Sequence, residues 1–591
     1  MRRKTAPVVW LILDAAADWA VRRLLNEGAM PALAQVYARG VGAGARPPAL
    51  NCQTPPSLAT LVTGVWPWQH GIQGYSVPSR EAQQPITERR TGFSRELLQR
   101  EPIWTVAGRQ EKTYAMSHVP WVLSLDDEVL PLGCLFAVEG YSRCLSRGGV
   151  VLLSQLPTIA DGRQKLVIGP VKLLVERKEK AMGVQLCSEQ MGESWPLYES
   201  EQWKPFQIDT NGLLLRLWRR PSDGEWIILH SGIWQIRTAP SVEKTEFFNI
   251  VGPFVGEGLG SAYRLGMFGP RLVEGGDGTA EQLFVESIAQ MATYFRRSSL
   301  NVVNRYPGAD LYMFYQPCID DVAHEVIGWC DPQSKAYQSK IADRVWEVVK
   351  QVYRMADQHL ADLLTHFGEA STIIVSSDHG MMGMTHRCYV NEALAHAGLF
   401  AFDSQGGVDL ARTKILYHPA NNGSLWVNEK MYAGGIVRSE ERDEIVHHAI
   451  VVLKELHLEE SGAVVLQEIY PADSEENAGW MPEMGDLFVV AADGFEFSAD
   501  RSPNGQVLVQ TLKSANHATN SGSASLCGIF YAKGLGIAEG RDVGIVDNRD
   551  VFPLVCKQLG IEPPSGLEGK ISPGVLEQPK GLEGDAECDT H

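Results

Sequence analysis

The chain has 591 residues, ten cysteines and a formal net charge of −18, with 44% apolar and 21% charged residues. That composition is ordinary for a soluble globular protein. The length calls for a large domain with an insertion or a second domain, and the acidity argues against a nucleic-acid polymer as partner. The cysteines are scattered with no C-x-x-C pair, which speaks against a disulfide framework or a thiolate zinc site and favours a reducing cytoplasm. No stretch is long enough to span a membrane, so no membrane partner is expected.

The basic start Met1-Arg2-Arg3-Lys4 mimics a secretory leader, but the apolar run Val8 to Leu13 is short and ends at Asp14. It reads as a strand buried on both faces of a parallel α/β sheet. Ligands of such sheets bind at the carboxyl ends of strands, so Asp14 is a candidate metal ligand. The competing reading is a cap for a helix over 15–26, and Asp18 is a nearby rival.

Thr54 precedes Pro55, Pro56 and an apolar run that Gly64 ends. This predicts a short helix with Thr54 as its N-cap and Gly64 closing it. A hydroxyl at that end faces the positive pole of the dipole, where a phosphate is held well. Residues 102–120 read as a helix and then a strand, with His118 structural. Residues 165–240 alternate apolar and polar runs broken by turns such as Pro221-Ser222-Asp223-Gly224, which predicts antiparallel hairpins.

Asp310 to Tyr315 is strand-like, and Asp320 and His324 follow at a spacing of four. One helical turn aims such a pair at a single ion, or else at solvent; Asp321 is the register alternative. Residues 338–366 form a long amphipathic helix. Ser371 to Ser377 is a buried strand running into Asp378-His379-Gly380, a carboxylate and imidazole at a strand end that suit zinc. His386 and Arg387 follow in a loop and are read as solvated, with substrate phosphate as the alternative.

The segment from Thr54 to Ile72 fits T-x-P-x-x-x-T-x-x-T-G-x-x-P-x-x-H-G-I. It resembles the nucleophile segment of the type I phosphodiesterases and nucleotide pyrophosphatases, within the alkaline phosphatase superfamily. Gly28 to Gly40, Ser377-Asp378-His379-Gly380 and the segment from Ser525 to Gly534 continue the resemblance. Ser57 is a departure, standing where the pyrophosphatases usually carry asparagine.

The resemblance implies an alkaline-phosphatase-like α/β core with a mostly parallel sheet, helices on both faces and a β-rich insertion. The expected divisions are core over 1–160 and 251–575, insertion over 161–250, and a flexible tail over 576–591. It further implies a Thr54 nucleophile, a phospho-threonine intermediate and two divalent cations, zinc or alternatively manganese. Asp320, His324 and His517 would hold one; Asp14, Asp378, His379 and the Thr54 oxygen would hold the other. The implied activity is a phosphodiesterase or nucleotide pyrophosphatase acting on a small phosphate ester. A phosphomonoesterase, phosphonate hydrolase or phosphotransferase is the alternative. A sulfatase is disfavoured, because Cys52 is not followed by the C-x-P-x-R pattern.

Overall fold

The computed structural model describes residues 6–577 except 49, 124–129, 179–181, 190–192, 200–201, 209–210, 222, 242–243, 473 and 475–483. The tail expected from 576 thus lies outside the described residues from 578 onward.

The central sheet is built from β1 (Val8–Leu13), β2 (Gly40–Arg46), β3 (Tyr114–Ser117), β4 (Cys134–Ser146), β5 (Ile233–Ala239), β6 (Leu311–Gln316), β7 (Thr372–Ser376), β8 (Gly528–Lys533) and β9 (Arg541–Asp547). Across the sheet they run β5-β4-β3-β6-β1-β7-β8-β2-β9. Strand β5 is antiparallel to β4, and β8 is antiparallel to both β7 and β2; the other pairings are parallel. The continuous apolar run of β1 is explained by burial on both faces. Val9, Leu11 and Leu13 enter one core, with the helices α2 (Thr279–Arg305), α3 (Cys318–Val326) and α4 (Ala342–Phe367). Val8, Trp10 and Ile12 enter the other, with α1 (Thr54–Thr63) and the helices Ile103–Arg109 and Val551–Leu559. Each such buried side chain contributes about 1.5–3 kcal/mol of transfer free energy.

The register decides where chemistry is possible. Leu13 pairs with Gln316, and Ile12 pairs with Ser376. Strands β1, β6 and β7 therefore end at one level, and the residues that follow them leave the sheet at one edge. Strand β2 runs the same way, so the segment leading to Thr54 leaves there too. Because β8 runs oppositely, the residues ahead of it, including His517, return to that same edge.

Two four-stranded antiparallel sheets lie between Gly149 and His230 and share a core of Leu166, Leu173, Leu186, Leu215 and Ile228. They are the β-rich insertion. Two more sheets, one antiparallel and one mixed, occupy 382–516 and surround a separate core that includes Leu416, Trp426 and Val489. The sequence reading did not anticipate that second β-rich region.

Candidate active site

Asp14 follows β1 directly, and Ala15 has a left-handed backbone at φ 56°, which turns the chain out of the sheet. The next helix begins at Asp18 with Ala17 as its cap, so Asp14 caps nothing. Asp18 instead bonds Arg22 at 2.8 Å. Thr54 is the first residue of α1; the cap position falls to Gln53 and makes no side-chain capping bond. The expected Thr54 cap is thus corrected by one residue, because Pro55 fits just inside the first turn. This leaves the Thr54 hydroxyl free for other partners. Gly64 ends α1 at φ 69°, a conformation that favours glycine.

Asp320 and His324 lie one turn apart on α3, with 3.5 Å between Oδ1 and Nε2. His517 Nε2 is 3.3 Å from the same Asp320 oxygen. His379 Nε2 is 3.3 Å from Asp14 Oδ1, 3.2 Å from Asp378 Oδ2 and 3.3 Å from Thr54 Oγ1. The His379 and His517 rings stack at 3.8 Å. All seven residues singled out in the sequence therefore meet at one place.

Each imidazole is oriented by a backbone carbonyl on its other nitrogen. The Nδ1 atoms of His324, His379 and His517 face the carbonyls of Ala515, Gly380 and Cys52 at 3.1, 2.9 and 3.1 Å. With Nδ1 donating, each Nε2 is a lone pair aimed into the cluster, the arrangement a metal-binding histidine requires. Gly380 is needed where it stands, since a Cβ there would lie 2.3 Å from the Ser525 carbonyl oxygen.

The carboxylates are equally telling. Asp14 Oδ1, Asp320 Oδ1 and Asp378 Oδ2 are buried without a hydrogen-bond partner. Buried anionic oxygens are costly unless something positive compensates them. Asp320, His324 and His517 form one set of mutually close ligand atoms, and Asp14, Asp320 and His379 form a second. Oxygen and imidazole donors around orphaned carboxylates fit divalent cations, zinc among them. Asp320 belongs to both sets, whereas Asp378 approaches only the His379 side.

The electrostatics follow from this crowding. Burial, then Asp378 and Asp320, push the Asp14 carboxyl well above its ordinary range. Burial also works to raise Asp320, but His324, His517 and His379 outweigh it and hold that carboxylate below its usual value. Burial drives His324 down to about 3 and lowers His517 too. At His379 burial opposes the proton, yet Asp378 beside it raises the affinity above normal.

Two tyrosines had no sequence signal. Tyr315 donates to Asp14 Oδ2, and Tyr75 donates to Thr54 Oγ1 at 2.8 Å. Burial, then Asp320 and Asp14, raise the Tyr75 phenol well above its ordinary value, so it remains a donor. Asn548 bonds the Asp378 carbonyl at 2.5 Å. Other expectations fall elsewhere. Asp321 accepts from the Gly258 amide at 2.5 Å, and burial raises its carboxyl to about 8. Arg387 pairs with the buried Glu496 at 2.6 Å. His386 meets Thr385 at 2.9 Å, and Ser57 is fully buried.

A cavity of about 470 Å³ opens beside the cluster, lined by Asp14, Thr54 and Asp320 at its base. Its walls include Phe93, Trp121, Tyr141 and Trp234, with Arg147 at 5.3 Å over the Trp234 ring. Strands β4 and β5, whose ends lead into the insertion, supply Tyr141 and Trp234. His118, expected to be structural, also lines this cavity.

A mostly parallel α/β sheet with a carboxylate–imidazole cluster at its carboxyl edge defines an α/β protein with a metal-type donor set beside a cavity. The family model for type I phosphodiesterase/nucleotide pyrophosphatase matches residues 8–129 and 271–523. The chain belongs to this family of metal-dependent phosphoric ester hydrolases. The unmatched interval, 130–270, contains the two sheets of the insertion. No curated protein matches the chain in sequence.

Among solved structures, human ectonucleotide pyrophosphatase/phosphodiesterase 5 aligns at 12% identity and a TM-score of 0.46, covering 94% of this chain and 96% of that one. An inactive form of the murine protein in complex with AMP gives 12% and 0.46, covering 95% and 96%. Phosphonoacetate hydrolase from Sinorhizobium meliloti 1021, in complex with phosphonoacetate, gives 13% and 0.47, covering 94% and 96%.

Proposed function

We propose that this protein is a phosphodiesterase of the nucleotide pyrophosphatase type that cleaves a small phosphate ester with Thr54 as nucleophile. The carrying observation is the Thr54 hydroxyl at the start of α1, 3.3 Å from His379 Nε2 and at the base of the cavity. Asp320, His324 and His517 would hold one divalent cation; Asp14, Asp378, His379 and the Thr54 oxygen would hold a second, with Asp320 between them. Zinc suits these donors best. When bound, such ions supply Lewis-acid charge at the phosphoryl oxygens and make a threonine alkoxide accessible at neutral pH.

The chain's own residues do the rest. The α1 N-terminus adds partial positive charge where the phosphoryl group would sit. Thr54 Oγ gives its proton up to solvent and forms a bond to phosphorus as the bond to the ester oxygen breaks; that oxygen leaves with the electron pair and takes a proton from water. Hydrolysis of the resulting phospho-threonine by a second water regenerates the hydroxyl and releases phosphate or a phosphate monoester. The aromatic cavity walls would receive the group attached to phosphorus while the carbonyl-bound histidines stay fixed. The nine described cysteines are all unpaired, which supports a reducing, cytoplasmic setting. Among the described residues no helix is long and apolar enough to cross a membrane.

The test pairs metal analysis with turnover of bis-p-nitrophenyl phosphate and p-nitrophenyl phosphate. About two zinc ions per chain and faster diester cleavage are expected. Thr54→Ala is expected to lower turnover by roughly three or more orders of magnitude. Faster monoester cleavage would replace the reading with a phosphomonoesterase, and undiminished turnover by Thr54→Ala would remove the nucleophile assignment.

A further inference from the structure

We propose that Tyr75 is a catalytic hydrogen-bond donor, first to the Thr54 oxygen and then to the phosphoryl group bonded to it. This rests on the reading of Thr54 as nucleophile.

The direction of the bond follows from the chemistry of the nucleophile. A threonine oxygen that attacks as an alkoxide has no proton to give, so the Tyr75 hydroxyl, 2.8 Å away, is the donor and Thr54 Oγ1 the acceptor. The bond occupies one lone pair of that oxygen, while His379 Nε2 lies 3.3 Å from it on the side of the carboxylate–imidazole cluster. A donor on that lone pair stabilises the oxygen as negative charge builds on it.

The donor is held by its surroundings rather than by a long free side chain. The Tyr75 amide bonds Gln53 Oε1 at 3.1 Å, tying the tyrosine to the residue just ahead of the nucleophile. Its carbonyl accepts from the Gly92 amide at 2.9 Å. Gly92 is required there, since a Cβ would sit 2.0 Å from the Gly74 carbonyl oxygen. The ring meets Phe93 edge-on at 6.1 Å, and Phe93 leans on the buried Trp121 at 6.0 Å. Two short paired strands, Ser76–Pro78 and Arg89–Thr91, close this hairpin.

Tyr75 as a whole is nevertheless 44% exposed and lines the cavity. Its hydroxyl therefore borders the space that a phosphoryl group on Thr54 Oγ would fill, within reach of a non-bridging oxygen once the bond to phosphorus forms. In the step itself, Thr54 Oγ loses its proton to solvent, the Oγ–phosphorus bond forms, and the leaving oxygen departs with its electron pair as an anion such as p-nitrophenolate. Tyr75 keeps its proton throughout and supplies only a hydrogen bond, so it needs no partner to reset it.

Tyr75→Phe keeps the ring and its contact with Phe93 and removes the hydroxyl alone. Loss of one such preorganised donor lowers kcat by about 10²-fold. We expect that fall on bis-p-nitrophenyl phosphate, with KM within about threefold and metal content per chain unchanged; a uniform binding role would instead move KM. Single-turnover measurement is expected to show the same slowing in release of the first p-nitrophenolate, the step that phosphorylates Thr54. A kcat within about threefold of wild type would overturn the proposal. So would a fall accompanied by lost metal, which would make Tyr75 a support of the cluster. Thr54→Ala in the same assay separates the two claims. If Thr54→Ala is inactive and Tyr75→Phe is normal, only the Tyr75 role fails; if Thr54→Ala is active, the nucleophile reading itself fails.

Discussion

Asp320 is the residue on which the two ligand sets depend, because its Oδ1 lies near His324, His517 and the Asp14–His379 group together. A neutral amide would remove the charge that would compensate both of the proposed cations. Asp320→Asn is therefore expected to bring metal content from about two to below one per chain, while His324→Ala, which touches one set, retains about one. Metal analysis of the purified variants checks this, and equal losses in the two would deny the sharing. Seven candidate-site residues that the structure brings together were legible in the sequence, five of them because they follow core strands or share a helical turn. Thr54 was legible from its helix start and its own T-x-P segment, and His517 only through the order of motifs. Tyr75 and Tyr315 were not, since each reaches the site through tertiary packing: one from a hairpin, the other across to the neighbouring strand.

The turns at the ends of elements aim these side chains. Gly64 lets α1 stop at φ 69°, and an added Cβ would also meet Leu567 Cδ1 at 2.4 Å. Gly64→Ala is expected to cost about 1–2 kcal/mol for the left-handed backbone alone. Denaturant unfolding measures this, and an unchanged midpoint would mean that α1 ends differently. The expected short helix, the long helix near 342–367 and the core strands were legible from apolar runs and periodicity. The sheets within 382–516 were not. Several of their strands are short, with Ile415–Tyr417 and Leu508–Gln510 spanning three residues each, and in those too few residues alternate to separate strand from loop.

At the scale of the whole molecule, burial leaves several histidines neutral far from ordinary solution behaviour. His70 and His118 are pushed down to about 3, and His359 and His418 to about 4, all chiefly by burial. The unfolded chain takes up these protons near pH 6.5, before the folded chain does. Their contribution to stability is thus complete above pH 6.5 and is lost as pH falls toward 4. Glu139, raised by burial to about 7, and Asp321, raised to about 8, act oppositely: folding favours their protonated forms, so their penalty is relieved as pH drops. Total acid sensitivity mixes the two groups, and a difference measurement isolates one member. His118 is suited to it. Its ring stacks on Phe254 at 4.9 Å and lies near Tyr294 and Phe295, and neither ring nitrogen has a hydrogen-bond partner. His118→Phe preserves an aromatic ring there and removes the titration. Relative to wild type, the variant is expected to gain roughly 1.4 kcal/mol for each pH unit below 6.5, or about 2 kcal/mol by pH 5. Urea unfolding of both proteins at pH 7.5, 6 and 5 reads this difference, with a constant offset above pH 6.5. Parallel stability curves down to pH 5 would mean that His118 binds its proton equally well folded and unfolded, against the burial that the surrounding rings impose.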